Sequence, residues 1–103
     1  MKNQLLLIEG KRVDRPSYMA GLSKKGYIVG SAPNGATALE MVRNNPPKAV
    51  IVDAASMRTS GTRICSALKK ELSHVPVILI IAEEQKNFPK DCADVILRLP
   101  FTV

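Results

Sequence analysis

Two acids stand at the ends of apolar runs: Glu9 follows Leu5-Leu6-Leu7-Ile8, and Asp53 follows Ala49-Val50-Ile51-Val52. Uninterrupted runs of this kind mark strands buried on both faces, as in a parallel sheet. In open α/β sheets the ligand site lies beyond the carboxyl ends of the strands, where strand order reverses. With the order 2-1-3-4-5 these two strands are neighbours. Glu9 and Asp53 then face one crevice, where a divalent cation or a phosphoryl group can be handled. The competing reading is that both are ordinary solvated strand-end acids.

Other site chemistries find little support. Cys65 and Cys92 share no CxxC spacing and have only His74 for company, so neither a zinc site nor a disulfide scaffold assembles. Both read as reduced packing residues. His74 precedes a strand with no nucleophile near it in sequence and reads as a solvated loop residue. Gly61-Thr62-Arg63 neither follows a strand directly nor matches a phosphate-binding loop.

The elements that must position the acids alternate along the chain. After the first strand, Asp14 can cap a helix with Pro16 in its first turn and Tyr18, Met19 and Leu22 on one face, stopped at Lys24-Lys25-Gly26. Tyr27 to Ser31 is a second strand. Asn34-Gly35 opens a second helix through Ala38, Leu39 and Val42, closed by Pro46-Pro47. The third strand ends at Asp53, and Ser60 can cap a third helix with Ile64, Ala67, Leu68 and Leu72 at helical spacing. Pro76 to Ile81 is the fourth strand and Val95-Ile96-Leu97 the fifth. Between them Glu83 to Asp91 leaves nine residues, with Pro89 among them, for a crossover helix, which is expected to be short. After Phe101 only Thr102 and Val103 remain, so no fifth helix is expected. The order points to a doubly wound five-stranded parallel sheet of flavodoxin-like order 2-1-3-4-5.

Length and charge bound the function classes. A chain of 103 residues, 46% hydrophobic, makes one domain, 1–103, and its longest apolar run falls far short of the ~20 residues of a bilayer span. Met1 to Glu9 is too weakly apolar for a signal peptide, so the expected compartment is the cytoplasm. Fifteen Lys and Arg against nine Asp and Glu give +6, which suits an acidic partner. A nucleic acid is not the expected one, because no Lys/Arg block of five occurs and there is no Trp to stack on bases.

From about Leu5 to Phe101 the chain resembles the response-regulator receiver (CheY-like) domain. The landmarks are LLLIEG, GYIV, NGATALEMV, AVIVD, Gly61 eight residues after Asp53, PVILIIA and ADVILRLPF. The resemblance implies a phosphoacceptor at Asp53 and a first metal-holding acid at Glu9. It also implies a second acid, a Ser/Thr and a lysine, and here the chain departs: Gly10, Ile81 and Leu99 stand at those three positions, and Met57 replaces a proline. Gly10 removes a magnesium ligand and a negative charge. Leu99 removes the cation that would neutralise charge on the phosphoryl oxygens, and Ile81 removes the hydroxyl latch of the switch. Lys11 and Arg58, in the loops after the first and third strands, offer a side-chain cation for Asp53 in place of the metal, by a charge-assisted hydrogen bond. The alternative is a loose surface contact worth about 0–1 kcal/mol.

The resulting expectation is an atypical receiver, a pseudo-receiver without enzymatic activity. It acts as a phosphorylation-independent interaction module of two-component-type signalling, with no cofactor beyond weakly held Mg²⁺ and with a protein partner or a fused output domain. The alternative is a receiver still phosphorylated on Asp53 at low efficiency. The resemblance further implies a cis Leu99–Pro100 bond. The missing helix implies that a face beside the first and fifth strands, around Leu5, Leu7, Ile96 and Phe101, is covered by a second copy, a partner protein or a further segment of chain.

Overall fold

The computed structural model describes residues 4–10, 18–56, 61–81 and 92–98. Along them run β1 (Gln4–Glu9), α1 (Met19–Lys24), β2 (Ile28–Ala32), α2 (Gly35–Asn44), β3 (Ala49–Asp53), a 3-10 turn (Ala54–Ser56), α3 (Gly61–Glu71), β4 (Val77–Ile81) and β5 (Val95–Arg98). The strands form one parallel sheet in the order β2-β1-β3-β4-β5, the architecture read from the sequence. Boundaries move by about a residue: β2 is shifted one residue later, and β4 starts at Val77. Pro76 has no N–H for the ladder, yet its carbonyl accepts from the Val50 N–H at 2.9 Å. The short fourth helix, the chain beyond β5, Asp14, Pro16 and Ser60 lie outside the described residues.

Local chemistry starts and stops the helices. Asn34 is extended (φ −157°, ψ 173°) and its Oδ1 accepts from the Thr37 N–H at 2.9 Å, an N-cap of a kind worth about 1 kcal/mol. Along α3 the core positions are Cys65, Leu68 and Leu72. Cys65 takes the inward place the spacing argument gave to Ala67, and Ile64 packs at the margin of the core. The α2–α3 approach is close there: a Cβ on Gly35 would lie 2.8 Å from Ile64 Cγ1, so this position accepts no larger residue unless Ile64 shifts.

Strand side chains alternate between faces, which sorts the apolar runs into two cores. Leu6, Ile8, Val50, Val52, Val77, Leu79 and Ile81 pack under α2 and α3. Leu5, Leu7, Ile51 and Ile80 form the other core, with Tyr18, Met19 and Leu22 at α1 and with Leu97 of β5. Full burial of one such side chain contributes about 1.5–3 kcal/mol. The expectation of an uncovered face is corrected here. Leu7 is fully buried and Leu5 only 9% exposed within the chain itself, while Ile96 belongs to the opposite face, packed with the α2–α3 core. Phe101 lies outside the described residues.

Asp94 fastens the amino-terminal end of β4. Its Oδ2 accepts from the Val77 N–H at 2.8 Å and from Lys69 Nζ of α3 at 2.9 Å, and its own N–H donates to the Val77 carbonyl at 2.9 Å. The Lys69 hydrogen bond, then the Val77 N–H, hold the Asp94 carboxyl below the usual aspartate range. A group lowered on folding contributes stability above its unfolded pKa and loses it as pH falls through the folded value. Asp94→Ala leaves the Val77 N–H without its acceptor and is expected to cost about 1–3 kcal/mol in urea unfolding at neutral pH. The deficit should shrink as the pH is lowered through the folded Asp94 value.

The Cys65 thiol donates to the Cys92 carbonyl at 2.7 Å, and burial, then the nearby Cys92 thiol, push it well above its ordinary value. Both cysteines are free and buried, in keeping with reduced packing residues. In the native protein at mildly alkaline pH, Cys65 should react with an aromatic disulfide reagent only as fast as the fold opens, and promptly in denaturant.

Candidate functional site

The carboxyl ends of β1 and β3 bring the two acids together. Glu9 lies opposite Asp53 in the ladder, two residues beyond the pair Leu7 and Ile51, so both acids share the α1 side of the sheet. Asp53 is 1% exposed, and its Oδ1 is buried without a hydrogen bond among the described residues. Asp53 takes part in other polar interactions besides. A solvated strand-end acid is therefore the wrong description of Asp53.

Glu9 is half-buried and turned to the helix that follows. Its Oε2 accepts from the Tyr18 N–H at 3.2 Å, at the N-cap of α1, where no side chain of the cap residue does so. Helix starts present unsatisfied N–H groups and partial positive charge, and a carboxylate meets both.

Gly10 and Ser56 close the floor between the acids. The Gly10 N–H donates to Ser56 Oγ at 2.9 Å, and the Ser56 hydroxyl donates to the Asp53 carbonyl at 2.8 Å. The hydroxyl thus uses both its donor and an acceptor lone pair, and ties the end of β1 to the end of β3. Sequence reasoning missed Ser56. The available signal was a hydroxyl three residues past Asp53, the spacing at which Ser bonds back to a turn carbonyl.

Of the other expected positions, Ile81 does not reach this crevice. Ile80, not Ile81, stands beside Asp53 in the β3–β4 register; Ile81 is fully buried in the core under α2 and α3. Lys11, Arg58, Met57, Leu99 and the Leu99–Pro100 bond lie outside the described residues. His74 is exposed, on a hollow of about 520 Å³ with Lys48 and Asn45 at the amino-terminal ends of the strands, far from both acids. Among the described residues no three His, Cys, Asp or Glu side chains cluster as a metal site.

The model of the response regulator receiver domain matches residues 5–97. The chain belongs to that family. The response regulator MprA of Mycobacterium sp. (strain KMS) is 31% identical over 84 residues, which are 82% of this chain and 36% of the relative. The chain thus spans about a third of the length of the curated relatives it matches. Among solved structures, chemotaxis protein CheY4 of Vibrio cholerae superposes with a TM-score of 0.80 at 19% identity, covering 99% of this chain and 90% of that one. A chain from the complex of histidine kinase ThkA with response regulator TrrA gives 0.79 at 23% identity, covering 99% and 89%. These likenesses agree with the receiver fold.

A receiver's magnesium, as the family resemblance has it, is held by two acids at the end of the first strand, and the donor set here fits it poorly. Of that pair Glu9 has an oxygen engaged by the Tyr18 N–H, and Gly10 has no side-chain ligand. Magnesium demands near-octahedral oxygen ligation and parts with water reluctantly. The Ser56 contact also defines a measurable quantity. Ser56→Ala leaves the Gly10 N–H without its partner and is expected to cost about 1–2 kcal/mol in chemical denaturation, with amide shift changes concentrated at 9–10 and 53–56.

Proposed function

We propose that this receiver domain is a pseudo-receiver: a protein-interaction module of two-component signalling whose partner contacts do not depend on phosphorylation of Asp53. The observation that carries the reading is the wiring of the crevice. The groups nearest Asp53 in β1 are committed to structural hydrogen bonds, with Glu9 on the start of α1 and Gly10 on Ser56. Phosphoryl transfer relies on positioning and on charge stabilisation by metal and cation together. In the sequence Gly10 stands at the position of the second acid, Leu99 at that of the lysine and Ile81 at that of the hydroxyl residue. If Asp53 meets a cation, the sequence offers Lys11 and Arg58 for that role.

The partner is a protein, either separate or an output domain fused to the receiver. The ThkA–TrrA structure gives a precedent for a receiver seated on a kinase, and the length of the MprA relatives gives one for a receiver attached to further chain. The module performs no catalytic step of its own. No helix among the described residues is long and apolar enough to cross a membrane.

A second reading, a receiver phosphorylated at Asp53 with low efficiency, is favoured by one observation: Glu9 and Asp53 are in register on the same face. Beryllofluoride with magnesium, followed by amide NMR, separates the two. The pseudo-receiver shows no saturable shifts around Asp53, and magnesium alone binds no more tightly than about millimolar. Saturable shifts at 53–56 and 9–10 would establish the second reading instead. Gly10→Asp should tighten magnesium binding without restoring phosphorylation by a small-molecule phosphodonor, because Leu99 and Ile81 remain.

A further inference from the structure

The sheet has two edges, β2 and β5, and they are guarded differently. Exposed edge strands are templates for pairing with another chain, and proteins blunt them with charges, bulges, prolines or short length. β5 is four residues long, preceded by Asp94 and ended by Arg98. β2 has no such guard within it. It runs Ile-Val-Gly-Ser-Ala, pairs with β1 over five consecutive residues without a bulge, and lies in a stretch from Gly26 to Leu39 that holds no charged residue. Only Pro33, just past its end, limits its length.

The entrance to this edge is apolar and basic together. Ile28 is 48% exposed and Tyr27 38%, two of the three large exposed hydrophobic residues found among the described ones. Lys24 and Lys25, both exposed, stand immediately before them. Their position is fixed by a tight turn: the Leu22 carbonyl accepts from the Lys25 and Tyr27 N–H groups, and Gly26 takes a φ of 96° that only glycine adopts readily. Neither lysine has an ion-pair partner among the described residues.

We propose that β2 is a docking edge for an extended acidic segment of a partner protein, added as a sixth strand. The outward-facing amides and carbonyls of alternate β2 residues supply the backbone bonds. Tyr27 and Ile28 cover apolar side chains of the segment, and Lys24 and Lys25 pair with its carboxylates. Charge decides against a second copy as the occupant, since each copy carries +6 and brings its own lysines. The edge lies on the far side of β1 from Asp53, so the proposal stands whether or not that residue accepts phosphate.

The test uses the full chain, isotope-labelled, with a short end-blocked peptide of alternating valine and glutamate as the probe and its valine–lysine counterpart as the control. Expected are saturable shifts and slowed amide exchange confined to 27–33 and the two lysines, weakening as salt is raised, with no binding of the control. Charge reversal of both lysines, Lys24→Glu with Lys25→Glu, should weaken binding about tenfold while the circular dichroism stays native. Ile28→Glu, which places a charge of the probe's own sign on the edge itself, should abolish the exchange protection. No shifts in β2, shifts centred elsewhere, or equal binding of the basic peptide would overturn the proposal. So would concentration-dependent self-association through β2 in the absence of peptide, which would make the occupant a second copy.

Discussion

Pairing Leu7 with Ile51 and Glu9 with Asp53, the ladder between β1 and β3 decides which residues are core and which form the site. Side chains on a strand alternate with a period of two, so a slip of one residue in either strand would turn its Leu7 or Ile51 away from α1 and carry its acid with it. The register is enforced from both sides, because β1 and β3 are apolar on both faces and bury Leu6, Ile8, Val50 and Val52 under α2 and α3 while Leu5, Leu7 and Ile51 pack toward α1. Either face of either strand is therefore matched to its own cover, and a slipped strand would exchange the residues that meet α1 for those that meet α2 and α3.

What could be read from the residues, and what could not, follows from the range of the interactions involved. Continuous apolar runs and nearby punctuation, such as Asn34 before α2 and Pro46-Pro47 after it, are local and specify strands, helices and their order. The bonds that shape the crevice are not local: Gly10 and Ser56 are 46 residues apart, and either one alone is an ordinary glycine or serine. Asp94 reaching back to Val77 and Lys69 is hidden in the same way. Ile96 and Leu97 were indistinguishable because β5 is apolar at consecutive positions and offers no alternation to assign its faces. For Ile81 the resemblance located the position in the chain, while only the pleat shows its side chain turned into the core under α2 and α3.

The crevice has a frame that does not depend on any ligand. A metal position needs oxygens whose lone pairs are available, whereas a rigid joint needs every donor and acceptor satisfied. At the end of β1 a joint of this kind is present: the Gly10 N–H, the Ser56 hydroxyl and the Asp53 carbonyl form one continuous chain of bonds, and Glu9 secures the start of α1. A glycine at position 10 has only its backbone to offer, and the backbone N–H is what Ser56 takes up. The joint leaves the metal question to the side chains alone, and at position 10 there is none to ligate.

That absence bears on how such a domain communicates. A receiver that switches needs an element with two arrangements of similar free energy and a ligand that prefers one of them. On the proposed reading, the absence of the second acid, the lysine and the hydroxyl would take away the differential binding, and a ligand without differential affinity shifts nothing. A five-stranded scaffold of that kind would signal through the surfaces it presents. On such a scaffold the edge strands differ from the helix faces in one respect: their unsatisfied backbone groups accept a partner with no rearrangement of the core. An extended segment pays its ordering entropy when it docks, and the edge, already held straight by its pairing with β1, pays almost none. Preorganisation is therefore where a receiver without a working switch retains binding energy, and it falls on the side of the sheet that the crevice does not control.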